Sequence, residues 1–204
     1  MLNEQSCLLF QQPFFQFSQI KRYCPERIEP LKAEYREQWA VWRETVNQVA
    51  EKLGEPFAPP HIERWCNGWQ VRAHFFAFFK YEAHSASAPI FSLILNRRRL
   101  TVALDWHAYK AASSPLPLQA YQAWADGLNT DEFAGFEIWR GSDSEYADHL
   151  HVAAFSDGLA LHDKQDFYRI GRHLEGAEWA KHDVAEWIAE TVRRLQPLYE
   201  RCFE

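Results

Sequence analysis

The sequence predicts one α+β domain over residues 1–204: an antiparallel sheet packed by a long N-terminal helix, a middle helix and a C-terminal helix. Three observations carry that prediction. Helical periodicity is confined to the two ends of the chain and one middle stretch. The segments between them alternate with period two. Those alternating segments are joined by turns and loops, so the order helix, strands, helix, strands, helix suits helices laid against an antiparallel sheet.

Residues 1–25 look irregular but apolar. "LLFQQPFFQF" gathers Leu8, Leu9, Phe10, Phe14, Phe15 and Phe17, so this arm is expected to pack on the body. The first helix is predicted over 26–53. Pro30 suits its first turn, and Leu31, Tyr35, Trp39, Trp42, Val46, Val49 and Leu53 form one apolar stripe, with Gly54 and Pro56 ending it. "GWQVRAHFFAFFKYE" reads as a strand with Val71, Phe75, Ala77 and Phe79 on one face and Arg72, His74, Phe76 and Phe78 on the other. "IFSLILN" and "RLTVALDWH" are the next two strands, and Asn96 to Arg99 make the hairpin tip between them. Arginines at such a tip are expected to be solvated and to discourage edge association, with anion contact as the alternative.

A short helix is predicted over 116–128, bracketed by Pro115, Pro117, Gly127 and Asn129. "GFEIWRG", "HLHVAAF" and "GLALHD" read as three further strands, with a turn at Ser156-Asp157-Gly158, and "FYRIG" as a strand or the first turn of a helix. The last helix is predicted over 181–199, with Pro197 kinking or ending it. There is no internal repeat, low-complexity tract or flexible linker.

Nine Trp, eight Tyr and fifteen Phe imply a core built from rings. The net charge of −6 argues against broad, sequence-independent nucleic-acid binding. Residues 69–110 run against that balance, with six basic side chains facing two acidic ones. Cys7, Cys24, Cys66 and Cys202 are scattered without metal-ligand spacing, no signal core or membrane-spanning run is visible, and a cytoplasmic protein with reduced thiols is expected.

Strand parity gives the candidate site. Arg72 and His74 share one face of their strand, as do Arg99, Thr101, Asp105 and His107 of theirs, and His149 and His151 of a third. If these strands neighbour one another, Arg72, His74, Arg99, Asp105, His107 and His151 converge on one surface. There guanidinium forks would hold an anion and imidazoles exchange protons. The competing expectation is a solvated sheet face. His149-x-His151 supplies two imidazoles, short of the three or four ligands of a zinc site, and no metal is expected. Asp131, Glu132, Glu137 and Asp143 offer carboxylates only by proximity in the chain, Ser113, Ser114 and Ser142 lack a marked base, and no nucleophile elbow is present.

"CNGWQVRAHFFAFFKYE" followed by "SAPIFSLILNRRRLTVALDWHAYKA" is similar to a small family of uncharacterised bacterial proteins, some of which carry the label glucose-6-phosphate 1-dehydrogenase. The resemblance spans most of the chain and is strongest over residues 66–111. The label implies a sugar phosphate substrate and a nicotinamide cofactor. The residues do not support it. None of the eight glycines is separated from another by a single residue, so the Gly-x-Gly-x-x-Gly fingerprint is missing, as are alternating βαβ units.

The leading expectation is therefore a soluble binding domain for a phosphate-bearing small molecule or nucleic-acid segment, with no cofactor and no membrane. An enzyme using His and Asp as acid and base, or the labelled oxidoreductase, is the second reading. An aromatic interaction module, meeting a partner or a second copy as a homo-oligomer, is the third.

Overall fold

The computed structural model describes residues 1–155 and 159–204. The N-terminal arm is more regular than its sequence suggests. Asn3 caps a 3-10 segment, Glu4–Phe10, by accepting the Gln5 amide at 2.9 Å, and α1 (Phe17–Tyr23) follows. Leu2, Phe10 and Ile20 are buried, so the arm does pack on the body.

α2 (Ile28–Leu53) is the expected long helix, and Gly54 ends it with a positive φ of 61°. Tyr35, Trp42, Val46 and Val49 of its stripe are fully buried, while Trp39 lies at the margin and donates its indole N–H to the Glu63 carbonyl at 2.8 Å. Next come β1 (His61–Ile62), β2 (His74–Phe79), β3 (Pro89–Asn96) and β4 (Leu100–Trp106). The strand expected to begin at residue 69 begins only at His74, because residues 69–73 bend to meet the N-terminal arm. Val71 N–H donates to the Phe15 carbonyl at 3.0 Å, and Phe17 N–H to that of Trp69 at the same distance.

The middle helix is short. α3 (Leu118–Tyr121) gives way at once to a 3-10 segment, Gln122–Gly127, and Tyr121 anchors the stretch by donating its hydroxyl to the Tyr168 carbonyl at 2.8 Å. β5 (Glu137–Arg140), β6 (Leu150–His151) and β7 (Tyr168–Leu174) complete the sheet. "HLHVAAF" is a strand for two residues only before a 3-10 turn at Val152–Ala154, and described residues 159–163 form no strand. The expected turn at residues 156–158 lies outside the described residues. "FYRIG" belongs to a strand.

The seven strands run β1-β2-β3-β4-β7-β5-β6, each antiparallel to its neighbours, so the last strand in sequence lies inside the sheet, between β4 and β5. One face carries Phe75, Phe79, Phe91, Leu93, Val102, Leu104 and Ile170 against α2 and α4 (Val184–Arg201). Fully burying an aliphatic or aromatic side chain contributes about 1.5–3 kcal/mol, so this single layer is the main source of stability. Asp183 caps α4 by accepting the Glu186 amide at 2.9 Å. Pro197 does not end it: the helix continues to Arg201. Pro197 and Arg193, whose carbonyl loses its donor, both face solvent, while Leu195, Leu198 and Tyr199 are buried on the other side and anchor the helix across the proline.

The β4–β7 contact depends on Gly171. A Cβ there would collide with the Val102 carbonyl oxygen and the Ala103 side chain. Gly171→Ala is expected to lower stability by about 1–3 kcal/mol through overpacking. Gly135→Ala, whose new Cβ would meet nothing within 4 Å, should stay close to wild type. Urea titration of the two variants checks the difference.

Candidate functional site

The face of the sheet turned away from the helices is not bare. Side chains at alternate positions, His74 on β2, Ser92 and Ile94 on β3, Thr101 and Asp105 on β4, and Arg169 and His173 on β7, point towards the segment 141–149, which crosses above them. Between segment and sheet lies a cleft of about 230 Å³.

The triple arginine at the hairpin tip holds this roof in place. Asn96 is fully buried and its side-chain oxygen accepts the Arg98 and Arg99 amides at 2.8 and 3.0 Å, which fixes the turn. Arg98 then pairs with Glu175 at 2.9 Å and Asp148 at 2.5 Å. Arg99 is buried and donates to the Ala147 carbonyl at 2.6 Å and the Glu145 carbonyl at 3.3 Å. Only Arg97 is exposed, lying 4.5 Å over the Tyr146 ring. The expectation of a solvated tip is corrected for Arg98 and Arg99, whose charges are used inside the protein.

On the floor of the cleft Asp105 accepts Arg169 Nε at 2.6 Å and its neighbour's backbone amide, that of Trp106, at 2.7 Å. Arg169 also donates Nη1 to the Gly141 carbonyl at 3.1 Å, which leaves Nη2 without a protein acceptor among the described residues. Thr101 and His173 are directly opposed across β4 and β7, and their Oγ1 and Nδ1 atoms are 2.8 Å apart. On its other side His173 Nε2 faces Glu137 Oε2 at 3.3 Å. Burial holds the His173 imidazole below its ordinary pKa, so the ring is neutral at pH 7. Burial opposes ionisation of Glu137 too, but the close contact with His173 and the Arg99 charge outweigh it, and the carboxyl titrates below its usual range.

The wall is built from the roof segment. Glu145 accepts His74 Nδ1 at 3.3 Å. Burial raises its pKa, and the contacts with His74 and Tyr146 more than reverse that. Asp143 spends Oδ2 on the Arg140 amide at 2.7 Å. His149 stacks on Trp139 with ring centres 4.6 Å apart and planes 9° from parallel. Burial first, then the neighbouring His173 and Arg99, push its pKa down to about 4.

The six residues proposed from sequence therefore separate. Asp105 lines the cleft. His74 and Arg99 fasten its wall. Arg72 lies before the start of β2 and pairs with Glu63 at 3.2 Å, outside the cleft lining. His107 lies beyond the end of β4, its ring against Phe78 at 5.0 Å, with burial and Lys80 lowering its pKa. It does not meet Asp105 and His74 in one pocket. His151 is exposed on the edge strand β6. The expected basic surface is not what forms: three carboxylates, Asp105, Asp143 and Glu145, face one guanidinium, Arg169, in the lining. Among the described residues no group of three or more His, Cys, Asp or Glu is arranged to hold a metal ion. The same residues contain no helix long and apolar enough to cross a membrane.

A protein-family model matches residues 2–202. The chain belongs to that family. A relative from Haemophilus influenzae (strain ATCC 51907 / DSM 11121 / KW20 / Rd), described as an uncharacterized protein, is 50% identical over 204 residues, covering 100% of this chain and 99% of that protein. Both findings agree with the expected uncharacterised family, and neither lends support to the glucose-6-phosphate dehydrogenase label. In this family member the site residues that parity reasoning overlooked are Arg169 and His173. Their signal was present in "YRIGRHL", where Arg169, Gly171 and His173 alternate with Tyr168, Ile170 and Leu174.

Proposed function

We propose that the protein binds a small polar molecule in the cleft between the sheet and segment 141–149. The observation that carries this reading is the split character of the lining. Arg169 has an unused Nη2, suited to a carboxylate or phosphate oxygen of the ligand, while Asp143 and Glu145 present carboxylates from the opposite wall. A purely anionic ligand would meet three carboxylates and one guanidinium already paired, which is unfavourable in a partly desolvated site. The anionic group expected from the sequence is thus kept, moved from the hairpin arginines to Arg169, and joined to a cationic or hydroxyl-rich part facing Asp143 and Glu145. The ligand class is a small zwitterion, such as an amino acid or an amino-sugar phosphate.

A thermal-shift panel tests this. Zwitterions should raise the melting temperature and inorganic phosphate should not. At a hundredfold excess over Kd a ligand stabilises by about 2.7 kcal/mol, and each kcal/mol moves Tm by about 2–4 °C in a chain of this size. Arg169→Met and Glu145→Gln should each remove the shift. A panel in which phosphate alone stabilises the protein would overturn the charge assignment.

A further inference from the structure

We propose that Glu137, His173 and Thr101 form a nucleophilic relay, and that the cleft cleaves a small carboxylic ester by passing its acyl group through the Thr101 hydroxyl. The proposal rests on the cleft being a ligand site and adds a reaction to it. The geometry comes from the sheet itself. β7 lies between β4 and β5, so an imidazole on β7 is flanked by a hydroxyl from one neighbour and a carboxylate from the other. Thr101 and His173 are register partners, and the side chain of His173 is only 5% exposed, which leaves its ring little freedom.

The direction of the Thr101–His173 hydrogen bond follows from the groups around the ring. His173 Nε2 lies 3.3 Å from Glu137 Oε2 without the alignment of a hydrogen bond, and the nearby carboxylate charge favours the tautomer with the proton on Nε2, which leaves the Nδ1 lone pair to accept the Thr101 hydroxyl proton at 2.8 Å. That is the tautomer a general base needs in a carboxylate–imidazole–hydroxyl array. Thr101 and His173 both line the cleft, which places the hydroxyl–imidazole pair at its floor. Arg169 lines the same cleft, and its unused Nη2 carries two N–H groups, so when one holds the ligand's anionic group the other remains a donor for the negative charge that develops on a carbonyl oxygen.

The step balances without a co-reactant other than water. Thr101 Oγ1 adds to the acyl carbon as its proton moves to His173 Nδ1. The bond to the alcohol oxygen breaks, and the alcohol leaves with that proton. Water then adds to the acyl-threonine, giving its proton to Nδ1. Collapse of this second intermediate releases the acid, and the Nδ1 proton restores the Thr101 hydroxyl. No group is oxidised or reduced.

p-Nitrophenyl acetate is the probe, followed by nitrophenolate release and by peptide mass mapping of the acetylated protein. The expected result is release above the buffer rate with an acetyl group on Thr101. Thr101→Val should fall to the buffer rate, Thr101→Ser should retain release, and Glu137→Gln should lower it, by up to roughly 10⁴-fold, the effect of losing the orienting carboxylate in related arrays. Release should rise with pH through a midpoint below the ordinary imidazole value, and all variants should melt as folded proteins. Acetylation confined to other residues, or a Thr101→Val variant as fast as wild type, would overturn the relay. If the zwitterion panel still shifts the melting temperature in that case, the binding reading stands without it. If neither signal appears, both fall.

Discussion

Asp105→Ala is expected to destabilise the protein by about 3 kcal/mol, the lower end of the range for breaking a buried ion pair by removing one partner. The lower end applies because the Asp105 and Arg169 side chains keep 9% and 22% of their surface. The loss is not that of a favourable charge contact alone. Arg169 Nε sits beneath segment 141–149, and without the carboxylate its positive charge stays partly desolvated, with the Gly141 carbonyl as its one remaining hydrogen-bond acceptor among the described residues and the Phe167 ring 5.2 Å away. The Trp106 amide loses an acceptor as well. In a urea titration the midpoint should fall with little change in slope. Asp105→Asn, which keeps an acceptor oxygen, should lose less. The double variant Asp105→Leu with Arg169→Met should recover part of the loss, since replacing both partners of a buried pair by apolar groups is often neutral. An Asp105→Ala midpoint equal to that of wild type would mean that Arg169 reaches solvent freely and does not organise the cleft floor.

The same pair shows where parity reasoning succeeds. Asp105 lies inside β4, where side chains alternate strictly, so its face could be read from the sequence. Arg72 and His107 lie just outside β2 and β4, and alternation says nothing beyond a strand's end. α2 and α4 were legible because 26 and 18 residues give a periodic stripe many chances to repeat. β5 and β6, with four and two residues, cannot display a period. β7 was ambiguous for another reason. Arg172 lies on its apolar face and breaks the pattern, and it is accommodated because its guanidinium lies 5.4 Å over the Trp187 ring and 5.7 Å over that of Phe136. The roof is the least legible part. Solvation of Arg98 and Arg99 follows from the hairpin alone, and only segment 145–148, about 50 residues further along the chain, removes it. Partners so distant in sequence leave no local signal.

Acidification from pH 7 to about pH 4 should destabilise the fold more steeply than exposed histidines would allow. His149 titrates near 6.5 when unfolded and at about 4 in the folded chain. Its neutral form is the one the structure accommodates, so its contribution is complete above pH 6.5. It is lost as the pH falls from 6.5 towards 4, and no further loss comes from this group below that. A tenfold change in proton affinity between the folded and unfolded chain is worth about 1.36 kcal/mol of stability. The partial exposure of His149 reduces its share to on the order of 1–2 kcal/mol. His173 and His107 are shifted downward as well and add to the loss over the same side of neutrality. Glu137 and Glu145, whose folded pKa values lie below the usual carboxylate value of 4.5, add theirs only as the pH falls from 4.5 through those lower values. The charges around His149 explain why acid finds this point weak. Burial, His173 and Arg99 oppose its protonation, and the acids Glu137 and Asp143 only partly compensate. Thermal melts across this range should show Tm falling by several degrees, with His149→Gln flattening the part between pH 6.5 and 4. A wild-type Tm that is constant over that interval would mean that the folded chain accepts the His149 proton without penalty, which requires the stacked wall of Trp139 and His149 to open as it binds.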